Sequence, residues 1–142
     1  MTASTSLMAL LVIAGVHAGF QGTVSTVVYP ALARLDAGEW LAKQESHRYA
    51  VVPMVGICYL GGLIATGWCL ATVPTLGVWV AAAGFAISMG TTALVAAPTH
   101  AKLMAGHDSG LVRRLLWSDW LRTVGAVIAL VGAAWAVANI DA

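Results

Sequence analysis

Long stretches without a charged residue constrain this chain most. No Asp, Glu, Lys or Arg occurs in residues 1–33, and none occurs in residues 49–101. Over all 142 residues, 9% are charged and 60% are hydrophobic, and the mean hydropathy is +0.86. Soluble domains carry about 25% charged residues, so the composition indicates an integral membrane protein with the lipid bilayer as its first partner. The net charge of +1 gives no reason to expect a nucleic-acid partner.

The uncharged stretches predict four transmembrane helices, because a helix needs about 20 apolar residues to cross the hydrocarbon core. The first stretch holds one span, and the second holds two, separated near Pro74. A fourth apolar run follows Leu121. We therefore expect an all-α, integral membrane four-helix bundle that forms a single domain over residues 1–142. The expected spans are residues 6–30, 50–72, 76–97 and 116–138.

The positions of the basic residues predict the orientation. All seven Lys and Arg lie within residues 34–48 and 102–122, at the connections between spans 1 and 2 and between spans 3 and 4. The positive-inside tendency then puts both loops in the cytoplasm and both termini outside, in the inner or plasma membrane. Within the first connection, the pattern of residues 40–49 favours a short amphipathic helix that lies on the membrane surface.

Small residues recur at helical spacing in three spans and predict close helix packing, since lipid supplies no hydrophobic force between helices. Stripes left over after the bundle forms would suit a second copy of the chain, so a homo-oligomer is one expected partner. The predicted seams are Gly15, Gly19, Gly22 and Thr26 in span 1, Gly77, Ala81, Gly84, Ser88 and Thr91 in span 3, and Gly125, Ala129, Gly132 and Ala136 in span 4.

A polar stripe occupies a different face of span 1. His17, Gln21 and Ser25 advance by four residues each time and lie roughly opposite the glycines. Ionisable residues inside a membrane usually face a bundle interior and are candidates for function. The alternative is a neutral His17 that makes one hydrogen bond to another helix.

The cytoplasmic ends of spans 3 and 4 carry the densest polar chemistry. His100 ends span 3, and Asp119 and Arg122 are three residues apart in span 4, so the last two share a face and can pair. Arg122 falls about one turn inside the span and needs Asp119, another acceptor or an anionic ligand. Interfacial anchoring explains Trp117 and the neighbouring arginines without any further function.

The four histidines do not form a recognised metal-binding pattern. His100 and His107 are seven residues apart, and His17 lies at a different membrane depth from His100, which disfavours a bis-histidine haem. We therefore expect no metal site and no cofactor, with a metal or haem as the less favoured alternative.

Four short segments, taken in order, carry a resemblance to a known family. They are "VVYPALARL" (27–35), "HRYAVVP" (47–53), "AAPTHAKL" (96–103) and "VRRLLWSDWLRTVGA" (112–126). With them the chain resembles the anthrone oxygenase-like family of small four-helix membrane proteins. The resemblance implies oxidation of a lipophilic phenolic molecule by molecular oxygen, in which an anthrone methylene becomes a quinone carbonyl without a bound cofactor.

Such a reaction needs a base and a donor that stabilises the developing oxyanion. His17 with Gln21 is the expected base with its orienting amide, and His100 is the rival base. Arg122, held by Asp119, is expected to stabilise the enolate.

Aromatic residues near the same end complete the expected site. Tyr49 and Trp120 are expected to stack on the rings of a lipophilic small molecule, and His47 is expected to overhang the entrance. A non-catalytic membrane subunit, or a lipid- or quinone-binding bundle that assists a partner, is the alternative function. A transporter is disfavoured because 142 residues hold no obvious inverted repeat.

Overall fold

The computed structural model describes residues 3–140, apart from the side chain of Ala37, and this part of the chain is all-helical. Its four long helices are each long and apolar enough to cross a membrane. The predicted all-α class and the number of long apolar helices are confirmed, whereas residues 1, 2, 141 and 142 of the expected single domain lie outside the described residues. Spans 1 to 4 are Ala3–Leu32, Gly38–Thr72, Leu76–Leu103 and Ser109–Ala138.

Two spans are interrupted α-helices and two are continuous. In span 1 an α-helix over Ala3–Thr23 is followed by a π-helical turn and a short α-helix, and span 3 has the same arrangement. The π-helical turns are Val24–Val28 and Thr92–Ala96, and the helices around them are Tyr29–Leu32, Leu76–Thr91 and Ala97–Leu103. Span 2 belongs to the α-helix Ala37–Thr72, and span 4 is the α-helix Ser109–Ala138.

Span 2 begins much earlier than predicted. Asp36 caps the helix by accepting hydrogen bonds from the backbone N–H groups of Gly38 and Glu39. The prediction of a separate surface helix over residues 40–49 is wrong, because these residues lie in the first turns of span 2. Trp40 is buried there, and its Nε1 donates to the carbonyl of Leu103 at 3.3 Å. Burial of this ring against span 3 holds the segment on the bundle.

Spans 3 and 4 pack through the predicted small-residue stripes. A Cβ atom added to Gly77 would lie 2.7 Å from the backbone nitrogen of Ala136, and one added to Gly132 would lie 2.8 Å from the carbonyl of Gly77. Gly84 and Gly125 are in equally close contact across the same seam. Backbones approach this closely only where side chains are absent or very small, so the seam predicted for these two spans is confirmed.

The seam predicted for span 1 is wrong. A Cβ atom added to Gly15, Gly19 or Gly22 would meet nothing within 4 Å in the described part of the chain, and Gly19 and Thr26 are exposed. A helix cannot turn two opposite faces toward the same neighbours, and burial of the polar stripe is worth more in hydrocarbon than burial of glycine. The glycine stripe therefore lies on the outside of the bundle.

The two π-helical turns end just before a proline. The backbone N–H of Tyr29 donates to the carbonyl of Val24, and that of Ala97 donates to the carbonyl of Thr92, five residues back in each case. Proline lacks an N–H and its ring clashes with the carbonyl four residues earlier, and a wider turn relieves that conflict. The residues that follow are rotated relative to an uninterrupted helix, which brings Tyr29 and His100 into the interior.

Candidate functional site

A cavity of about 420 Å³ lies between the four spans at the end that carries the π-helical turns. Its volume is in the usual range of small-molecule sites, about 300–1,000 Å³. Most of its wall is apolar and comes from spans 1, 2 and 3, while all four spans supply polar side chains. The polar lining consists of Gln21, Tyr29, His47, Arg48, Thr92, His100 and Arg122, and the apolar lining includes Phe20, Val24, Val51, Val52, Val55, Ala96 and Ala97.

Asp119 joins the polar face of span 1 to span 4. Its Oδ1 accepts hydrogen bonds from Gln21 Nε2 at 2.6 Å and from Arg122 Nη2 at 2.8 Å, and its Oδ2 accepts from Ser25 Oγ at 2.6 Å. Asp119 and Arg122 are both buried, so the predicted ion pair is confirmed and is held inside the bundle. A carboxylate with three donors has the partners that a buried charge requires.

Tyr29 extends this network into the cavity. Arg122 Nη2 donates to its Oη at 3.1 Å, and the same oxygen lies 3.1 Å from His100 Nε2. On the other side of the His100 ring, Gln44 Nε2 lies 2.6 Å from Nδ1. With the Gln44 amide in this orientation, its Nε2 donates to Nδ1 and its Oε1 has no partner among residues 3–140, so in the neutral ring the hydrogen is assigned to Nε2.

This tautomer determines which atoms of His100 and Tyr29 donate hydrogen bonds and which accept them. His100 donates through Nε2 and accepts through Nδ1, so neither nitrogen is left to remove a proton from a ligand. Tyr29 Oη accepts from Arg122 and from His100, so its own O–H hydrogen remains to be donated. Because Tyr29 lines the cavity, it is the hydrogen-bond donor best placed to meet a ligand oxygen.

His47 is the histidine that stays free for a ligand. Its ring lines the cavity, with its centroid 6.1 Å from that of His100 and 5.7 Å from that of Tyr29. Within the described residues, its ring nitrogens make no hydrogen bond. His47 therefore lines the cavity with both ring nitrogens available to a ligand.

His17 lies outside this arrangement. Its ring is 1% exposed, is stacked on Phe85 with centroids 5.3 Å apart, and meets Tyr59 edge-on at 5.5 Å. Both ring nitrogens are buried without a hydrogen-bond partner among residues 3–140. The predicted pair of His17 with Gln21 does not form, because the Gln21 amide is bonded to Asp119 and His17 does not line the cavity.

The two predicted stacking residues lie on the outer surface of the bundle. The exposed fraction is 64% for Tyr49 and 65% for Trp120, and neither lines the cavity. Tyr49 instead lies beside Arg48, whose guanidinium carbon is 5.0 Å from the centroid of the Tyr49 ring. The structure therefore brings His47, Gln21, His100 and Arg122 to the cavity but leaves these two aromatic residues facing outward.

Several site residues were not predicted from the sequence, among them Tyr29, Gln44 and Arg48. Tyr29 continues the four-residue spacing of His17, Gln21 and Ser25 by one more step, and that spacing is the signal that would have identified it. Gln44 precedes His47 by three residues and shares its helical face. Arg48 had no comparable signal, because a basic residue at the start of a span is usually an interfacial anchor.

Metal-binding side chains are not gathered in this part of the chain. Among residues 3–140, no group of three or more His, Cys, Asp or Glu is close enough to hold a metal ion. No protein-family model, curated protein or solved structure matches the chain.

Proposed function

We propose that this protein is a membrane-embedded oxygenase of the anthrone oxygenase-like family, which oxidises a lipophilic phenolic substrate with molecular oxygen. One observation carries the proposal. An apolar cavity of about 420 Å³ is lined by a free imidazole, His47, and beside it by a phenol, Tyr29, that accepts a hydrogen bond from Arg122. A base and an oxyanion donor that line one apolar cavity are what proton abstraction from a methylene conjugated with a carbonyl requires.

The substrate enters with its rings between the valines of span 2 and Phe20. Its polar end meets the side chains that come from spans 1, 2 and 4. In this position the anthrone carbonyl oxygen accepts the hydrogen of Tyr29 Oη. The cavity excludes water from the rings, which strengthens that hydrogen bond.

His47 starts the reaction by removing one proton from the anthrone methylene. The electron pair of the broken C–H bond passes to the carbonyl oxygen and gives an enolate. Tyr29 stabilises this oxyanion, because Arg122 and His100 already donate to its Oη and make its own hydrogen a stronger donor. One well-placed donor of this kind is worth about 10²–10³ in rate.

Molecular oxygen is the oxidant and needs no other electron source. The enolate carbon forms a bond to one oxygen atom, and oxygen is reduced to a peroxide that takes up the proton held by His47. His47 then removes the second C–H proton, the electron pair of that bond forms the quinone carbonyl as the O–O bond breaks, and the departing hydroxide takes the proton from His47 and leaves as water. We propose that no metal or organic cofactor takes part, so turnover is expected to survive treatment with a chelator.

The test is oxygen consumption and quinone formation by the purified protein with anthrone, corrected for autoxidation in the same detergent. His47→Gln keeps a polar side chain of similar reach but removes the base. We expect it to lower the rate by at least about 10²-fold. His17→Phe, which alters a histidine away from the cavity, is the matched control and should retain the rate. An unchanged rate in His47→Gln would rule out this assignment.

A second candidate is a non-catalytic bundle that binds a lipid or quinone and assists a partner protein. The outward stripe of Gly15, Gly19 and Gly22 favours it, because small residues in hydrocarbon allow a further helix to approach closely. That helix is from a second copy or from a different subunit. Binding of anthraquinone without oxygen consumption, together with cross-linking through span 1, would select this candidate over the oxygenase.

We further propose that the protein lies in the inner or plasma membrane with both termini outside. The support is the placement of all seven Lys and Arg in residues 34–48 and 102–122. Leu76→Cys reports on the turn between spans 2 and 3, and Ala105→Cys on the loop between spans 3 and 4. In intact cells a membrane-impermeant maleimide should label the first variant but not the second, and the reverse result would invert the topology.

A further inference from the structure

The cavity carries more positive charge than the proposed oxygenase chemistry uses. Two guanidinium groups line it, those of Arg48 and Arg122, and no Asp or Glu of the described residues does. Asp119 lies behind Arg122, which is the only basic side chain among residues 3–140 within 4.0 Å of its carboxylate. The charge of Arg122 is therefore balanced, and the charge of Arg48 has no carboxylate partner in the described structure.

Both arginines also have N–H groups that lack a hydrogen-bond acceptor. The Nε atom of Arg122 and the Nε atom of Arg48 are buried, and neither has a hydrogen-bond partner in the described part of the chain. The Nη2 atom of Arg48 reaches only the neutral phenol of Tyr49, at 3.4 Å. A buried guanidinium N–H without an acceptor is costly, so a ligand that brings an acceptor would remove this cost.

We infer that the ligand of this cavity is an anion: a molecule with a carboxylate or phenolate head on an apolar ring body. The head lies where Arg48 and Arg122 border the cavity, and the body lies against the valines of span 2. Arginine suits this role because its planar fork matches a carboxylate and holds its charge when buried. The inference rests on the cavity of the proposed function and adds a charge to its substrate class.

The test compares two fluorescent probes of the same shape that differ in charge. Anthracene-9-carboxylate is the anion, and 9-anthracenemethanol is its uncharged counterpart. Their dissociation constants are measured by fluorescence titration of the full chain in dodecyl maltoside, without turnover. We expect the carboxylate to bind about tenfold more tightly than the alcohol.

Variants assign that preference to a residue. Arg48→Gln should reduce the preference to near equality, whereas Arg48→Lys, which keeps the charge, should retain part of it. Arg114→Gln removes an exposed arginine outside the cavity and should leave the preference unchanged. The thermal unfolding temperature of each variant shows whether the bundle is intact, and Arg48→Lys keeps the test decisive if Arg48→Gln is unstable.

Equal affinity for the two probes in the unmodified protein would overturn the inference and leave the oxygenase proposal standing. A preference that persists in Arg48→Gln, or a failure of both probes to bind, would overturn it as well. Preference for the carboxylate without oxygen consumption would support the anionic ligand and contradict the oxygenase. Competition with phosphatidylglycerol identifies the source of the anion, since displacement indicates a lipid headgroup and its absence a free lipophilic acid.

Discussion

Gln21 Nε2 donates a hydrogen bond of 2.6 Å to Oδ1 of Asp119, which lies 98 positions further along the chain. The same oxygen accepts from Arg122 at 2.8 Å. The first and last spans are thus joined by a buried carboxylate that also compensates a buried guanidinium. Replacement of Asp119 by Leu leaves Arg122 without its counter-charge, and we expect the free energy of unfolding to fall by about 3–5 kcal/mol.

The double variant Asp119→Leu/Arg122→Leu is the control for this prediction. It removes both charges together, so we expect it to be more stable than Asp119→Leu alone. Thermal unfolding of the two variants in the same detergent measures the difference. A double variant that is less stable than the single one would show that the two residues do not act as a charge pair.

Tyr29→Phe tests the donor at the cavity. The change removes the oxygen that accepts from Arg122 and contacts His100, while it keeps the ring and most of the packing. Oxygen consumption with anthrone should fall by about 10²-fold. Tyr49→Phe removes a phenol from the outer surface and should keep the rate within about twofold of the unmodified protein. Equal losses in the two variants would contradict the assigned donor.

Local spacing predicted some of the site well. Asp119 and Arg122 were paired from their separation of three residues on one helix, and His47 was placed at a cavity entrance from its position before span 2. These predictions succeed because they depend on one helix at a time. The four spans follow from length and composition for the same reason.

Features that depend on how helices pack together were harder to predict from the sequence. The repeats in span 1 distinguish a glycine face from a polar face, but they do not decide which face meets the other spans, and Gly19 was placed on the wrong side. Tyr29 continues the four-residue spacing of the polar stripe, but the stripe was ended at Ser25, because the π-helical turn that extends it to Tyr29 is not part of an α-helical period of 3.6 residues. The place of Arg48 at the cavity could not be predicted from its own helix, because the cavity forms only when span 2 packs against the other spans.

The glycine seam between spans 3 and 4 gives a prediction about stability. A methyl group at Gly132 would meet the carbonyl of Gly77 at 2.8 Å and the backbone of Val80 and Ala81, and these backbone atoms cannot move aside. We expect Gly132→Ala to lower the free energy of unfolding by about 1–3 kcal/mol. Gly19→Ala adds the same methyl group to open space and should cause no loss. Similar unfolding temperatures for the two variants would contradict the close packing of this seam.

His17→Phe separates packing from polar chemistry at the most buried histidine. The ring stacks on Phe85 at 5.3 Å, and neither of its nitrogens has a partner within residues 3–140. Phenylalanine keeps a flat ring in this place and removes two polar atoms whose loss of hydration is not compensated by hydrogen bonds in the protein. We therefore expect the free energy of unfolding to rise by about 1 kcal/mol, measured as a higher thermal unfolding temperature.

The matched control for this change is His100→Phe. Its ring nitrogens are bonded to Tyr29 and Gln44, so the same substitution breaks two hydrogen bonds and should lower the unfolding temperature. Opposite signs at the two histidines would separate a histidine kept by packing from one kept by its hydrogen bonds. A loss of stability in His17→Phe would instead show that the nitrogens of His17 bind a water molecule or a ligand, and the polar stripe of span 1 would then have a second function above the cavity.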